Sequence, residues 1–186
     1  MERLMNEQTD WRSALRQKAH SHLARLSPAD RESLLIKNWM AHDARWFALV
    51  AKECGMAVTN RINQTAAREV GKVEAQRLGR ALQLPPVKTL DDYLVTQETF
   101  IGLLGPDLLD YQVSKVSETA CQLCVSRCFA YDNVTRAGVA AQYDCGIFAR
   151  VMGWLDALGV AYELSPALGK CLQAQGQECV HTITIR

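Results

Sequence analysis

Excess charge of either sign is missing from this chain. Its 21 Lys and Arg stand against 20 Asp and Glu over 186 residues, a formal net charge of +1. That balance leaves no footprint for nucleic acid or for an anionic membrane surface. No run approaches 18 consecutive apolar residues, so no spanning helix is expected. The opening MERLMNEQTDW is polar and acidic, unlike a secretory leader, and a cytoplasmic protein is expected. Internal repeats and low-complexity tails are absent as well. What remains is a chain long enough for one sizeable core, 48% apolar and 22% charged, as soluble globular proteins are. Its seven cysteines are an odd number and read poorly as a disulfide framework. They leave three options: metal ligands, a reactive thiol, or small buried residues, the last being the reading for Cys54.

Hydrophobic spacing predicts an α+β fold, with long N-terminal helices followed by a small antiparallel sheet crossed by helices. Residues 1–26 form an amphipathic helix by pattern, through Leu4, Trp11, Leu15, Ala19, Leu23 and Leu26, and such a helix would serve a homodimer. Residues 27–186 make a single α+β domain. Ser27 caps the next helix, with Pro28 at its first position. This helix runs to about Glu53 with an apolar face of Leu35, Trp39, Trp46 and Val50, and stops near Gly55. A further helix over about 56–82 carries Val58, Ile62, Ala66, Val70, Val73 and Leu78. Gly71 within it points to close helix packing. Pro85-Pro86 gives a rigid linker, and Thr89 caps a helix from Leu90 to about Leu104. Alternation around Tyr111 to Val116 predicts a strand. TACQLCVSRCFAY fits either strand or helix. Helix follows from Cys145 to Leu158, then strands over Val160–Leu164 and Val180–Ile185.

Two sets of residues carry chemistry. Cys145 at a helix start, Cys171 in a loop and Cys179 at a strand could converge, because the polar LQAQGQE turn lets the chain fold back. Three thiolates suit zinc, which wants four ligands. In CxxCxxxC, Cys121, Cys124 and Cys128 offer an iron–sulfur alternative with Cys145 as the fourth, or a redox dithiol at Cys121 and Cys124. Three buried thiols without metal are the plain alternative. The second set lies on the long helices. His42 and Asp43 sit between Trp39 and Trp46 at helical spacing, with His42 a candidate general acid or base. Asn63 and Glu74 share a face further along, and Arg68 offers a carboxylate partner. Equally, His42 is a satisfied core histidine and the tryptophans are packing.

From Cys145 onward the chain resembles the vinyl-4-reductase domain, the sensory domain of phenol- and xylene-responsive activators. That pattern has a helix, a strand, then Cys-x7-Cys into a last strand, with another cysteine about 26 residues earlier. GKCLQAQGQEC fits it, with Cys145 as the earlier cysteine. The resemblance implies zinc beside a pocket for a small, often aromatic, molecule. The family's glutamate ligand, three residues before the pair, is Leu168 here. The fourth ligand would then come from Cys121, the preferred choice, or from Cys124, Cys128, Glu163, His181 or water.

Residues 30–185 also resemble the L-2-amino-thiazoline-4-carboxylic acid hydrolase family, through NWMAHDARWFALVAKECGM and NRINQTAAREVGKVEAQRL. This resemblance implies a hydrolase opening the C=N bond of a cyclic amidine on a metal-stabilised domain. His42, Asp43 and Glu74 would be catalytic, and Trp39, Trp46, Asn63 and Arg68 would bind substrate. The alternatives are a non-catalytic binding or sensory domain with structural zinc, and an assembly protein.

Overall fold

The computed structural model describes the backbone of residues 2–186 and the side chains of residues 11–186. Leu4 of the expected N-terminal stripe lies outside the described side chains. The chain divides into two compact units, Met1–His42 and Asp43–Arg186.

The first unit holds α1 (Glu2–Leu23) and the opening turns of α2 (Pro28–Ala81). Ser27 starts α2 through a reciprocal cap. Its Oγ accepts from the Asp30 amide at 3.1 Å, and Asp30 Oδ2 accepts from the Ser27 amide at 3.2 Å. None of the described side chains between Trp11 and His42 is buried. Gly55, at φ 76° and ψ 161°, interrupts α2 where the sequence predicts a stop. Cys54 just before it is exposed, so the reading of that thiol as a core residue is corrected.

The second unit holds the core. After α2 come α3 (Leu90–Leu104), β1 (Leu109–Lys115), β2 (Ala120–Cys128), α4 (Phe129–Arg136), α5 (Ile147–Leu158), β3 (Tyr162–Ser165) and β4 (Cys179–Ile185). The sheet is antiparallel throughout, in the order β1-β2-β4-β3. The ambiguous cysteine segment is a strand. Period two buries Cys121, Leu123 and Val125, and a bulge opposite Asp110 and Tyr111 shifts the phase so that Cys128 is buried too. In β4 the alternation puts Cys179, His181, Ile183 and Ile185 inside. Tyr93 and Phe100 of α3 and Phe148, Trp154 and Leu155 of α5 belong to the same core as these strand residues. The α+β class, with long helices first and a small antiparallel sheet after, is what the hydrophobic spacing predicts.

The inner face of α2 is not the apolar stripe expected for residues 56–82. Ile62, Val70 and Val73 are exposed, while Thr59, Asn60, Gly71 and Ala75 are buried. Small and polar residues win because α2 lies very close to α5. A Cβ on Gly71 would stand 2.2 Å from the Arg150 carbonyl oxygen, and one on Gly153 would stand 2.1 Å from that of Arg68. Only glycine permits this crossing.

The crossing is reciprocal. Arg68-x-x-Gly71-x-x-Glu74 on α2 runs antiparallel to Arg150-x-x-Gly153-x-x-Asp156 on α5. Arg68 Nε and Nη2 donate to Asp156 at 2.7 and 2.9 Å. Arg150 donates to Glu74 through both Nε, at 2.7 Å, and Nη2, and the Trp154 indole adds a third donor to Glu74 at 3.1 Å.

Candidate functional site

Backbone pairing brings the cysteines of the C-terminal half towards one place. A bridge between Asp144 and Lys170 draws the segment before α5 against the loop before β4. The Cys145 amide donates to Gly169 O at 2.8 Å, and the Cys171 amide to Tyr143 O at 3.1 Å. Asn60 on α2 clamps the same stretch, donating to Gln142 O at 2.7 Å and accepting from the Asp144 amide at 3.1 Å. Cys128, Cys145, Cys171 and Cys179 thus line one enclosed cavity of about 20 Å³, together with Tyr143, Phe148, Gln173 and His181. That volume is room for about one water.

This cavity is not a metal centre. Among the described residues no group of three or more His, Cys, Asp and Glu is placed to hold a metal ion. Cys121, the preferred fourth ligand, lies opposite Ile183, whereas Cys179 lies opposite Val125. Four residues of strand separate the two sites, about 13 Å. Burial pushes the Cys145 and Cys179 thiols up to about 12, so both are protonated and neutral in this cavity. Glu163 is exposed on β3 and pairs with Arg186. The iron–sulfur reading fails for a different reason. On a strand, CxxCxxxC sends Cys124 to the face opposite Cys121. The zinc-supported hydrolase and the zinc-supported sensory domain are therefore both overturned.

His181 is the unusual member of the thiol cavity. It is 4% exposed, stacks on Phe148 at 3.8 Å, and its Nδ1 has no hydrogen-bond partner. Burial holds its pKa down at about 4, so the ring is neutral. Gln173 donates to the Val125 and Ser126 carbonyls, while its Oε1 is buried without a partner.

All the residues expected to be catalytic or substrate-binding lie on α2. His42 and Asp43 are exposed on α2, and Trp39 and Trp46 are 38% and 60% exposed. Glu74 is occupied by Arg150 and Trp154. Asn63 lies beside the Tyr143 hydroxyl, which accepts from the Gly146 amide at 3.1 Å.

Arg68 alone lines an open depression. This groove has a volume of about 560 Å³ and is walled by Met152, Val160, Ala161, Leu164, Ala167 and Leu168, with Asp156 and Tyr162 beside Arg68. The Tyr162 hydroxyl accepts from Arg68 and donates to Asp156, both at 3.2 Å. The bonded guanidinium holds the Asp156 carboxyl below its ordinary range, with a smaller contribution from Tyr162 and from Lys72, 3.9 Å away. Sequence reasoning named Arg68 but missed Asp156 and Tyr162. Arg68 and Asp156 are 88 residues apart, and no local pattern links them.

No curated protein matches this sequence. The residues that a family model does match run from the first turn of α2 to the residue before α5, taking in the α2 side of the glycine crossing, α3 and the first two strands. The chain belongs to DUF6125, a family of unknown function whose model matches residues 30–146.

Proposed function

We propose that the C-terminal unit is a metal-independent binding domain for a small organic acid with an apolar body. The observation that carries this reading is the Arg68 groove. Its volume falls in the range of small-molecule sites, its walls are aliphatic, and its polar groups converge at one end. Asp156 and Tyr162 hold Nε and Nη2 of Arg68 and so fix the guanidinium plane, which leaves Nη1 as the donor for a ligand carboxylate. The resemblance of residues 30–185 to the thiazoline-carboxylate hydrolases supports a carboxylate ligand.

Binding rather than turnover is the role that fits these groups. A carboxylate held ionised by a bidentate guanidinium is a weak base near neutrality and has no proton to donate. Titration of the isotope-labelled protein with benzoate and with benzamide tests the reading. Benzoate should shift the amides of Val160–Leu168, benzamide should shift them far less, and Arg68→Gln should weaken benzoate at least about tenfold. Equal responses to acid and amide, or none to benzoate and a panel of longer carboxylates, would refute it.

A further inference from the structure

The open end of the sheet bears on what kind of acid the groove takes. β3 is the last strand in the order β1-β2-β4-β3, and among the described residues no strand pairs with its outer side. The ladder shows which groups that side presents. The Ile185 amide donates to Thr119 O at 2.8 Å, away from β3, whereas the Arg186 amide donates to Ala161 O at 2.8 Å. Tyr162 opposite Ile185 and Leu164 opposite Ile183 are therefore the positions that make no bonds to β4. Their N–H and C=O groups face outward, two donors and two acceptors set out as a strand edge.

The side chains of the same two residues line the Arg68 groove, so edge and groove are one place. An extended chain on this edge would lay every second side chain over the aliphatic walls of Met152, Val160 and Leu168. Direction follows from the sheet, in which every pairing is antiparallel. An antiparallel newcomer runs against β3 and so ends beside Tyr162, at the start of the strand. Arg68 sits at that end, donating to the Tyr162 hydroxyl from Nη2 at 3.2 Å with Nη1 left over. A free C-terminal carboxylate would arrive where the cation is.

We propose that the acid bound by the groove is a short apolar peptide, added antiparallel to β3 with its C-terminal carboxylate on Arg68. This rests on the carboxylate reading of the groove and adds a peptide backbone to it. β3 is four residues long, so about three ligand residues can pair.

Titration of the isotope-labelled full chain with acetyl-Leu-Val-Leu, beside benzoate, tests this. The peptide acid should bind at least about tenfold more tightly than benzoate and should slow hydrogen exchange at the Tyr162 and Leu164 amides. Its C-terminal amide, and the acid N-methylated at every peptide nitrogen, should each bind at least about tenfold more weakly than the parent. A peptide acid no tighter than benzoate, or an N-methylated peptide as tight as its parent, would overturn the proposal while the carboxylate reading stands. Equal binding of peptide acid and peptide amide would overturn it as well. Silence from benzoate and peptide acid alike would remove both readings.

Discussion

The stretch from Trp11 to Val58 and the rest of the chain after it spend their apolar residues in opposite ways. In the first, Trp11 is 71% exposed, Leu35 70% and Trp46 60%, and none of the described side chains is buried. In the second, Tyr93, Phe100 and Ile183 are fully excluded from water. Both are built from the same residue types, so hydrophobicity alone does not make a core. A helix buries its stripe only where another element supplies a matching surface. The sheet supplies one to α3 and α5.

Substitutions can break or sharpen this contrast. The largest effect is expected at the helix crossing. Gly153→Val should cost about 4 kcal/mol or more in urea denaturation, because backbone stands where the side chain would go. Gly79→Ala, where nothing lies within 4 Å, should be neutral or gain up to about 1 kcal/mol. Next, Glu74→Gln should cost about 3 kcal/mol, since it removes the carboxylate of a mostly buried ion pair, whereas Glu69→Gln at the exposed pair with Lys72 should cost less than about 0.5 kcal/mol. A similar cost for both would erase the distinction between buried and exposed pairs.

A third test uses pH. His181 is neutral in the fold with a pKa of about 4, below the ordinary 6.5. As pH falls, the unfolded chain takes up this proton first. Its contribution is therefore intact above pH 6.5 and is lost between 6.5 and 4. From pH 7 to 4.5 the loss should be about 2 kcal/mol. His181→Phe should lose less stability than wild type over the same interval, and parallel curves would refute the assignment. The smallest effect is expected in the first unit. Leu34→Ala, at a side chain 45% exposed, should change stability by less than about 0.5 kcal/mol. A cost above about 1.5 kcal/mol would mean that the N-terminal helices have a core after all.

Much of the fold was legible in local pattern. The caps at Ser27 and Thr89, the stop at Gly55 and the alternation of β4 are written within a few residues of where they act. The inner face of α2 was not, because its partner is the backbone of α5, and small residues at a close crossing look like a weak stripe. The site was less legible still. Arg68 was found as an isolated cation, but its orienting groups arrive from α5 and β3, and only tertiary structure joins them. The cysteines were read as a ligand set because their spacing allows convergence. Convergence did occur for Cys145, Cys171 and Cys179, with Cys128 in place of Cys121. Strand register and burial then decided what sort of place they made, and neither is visible in spacing.

The crossing of α2 and α5 has one more consequence. Each helix carries arginine, glycine and an acid in that order, three residues apart. Antiparallel, every arginine meets an acid and every glycine meets backbone. Turned end for end, arginine would face arginine and acid would face acid. The triplet is thus an address as well as a joint. It tells α5 which way round to lie, and a sequence that carries it twice, some eighty residues apart, announces the orientation of two helices before anything else about the chain is known.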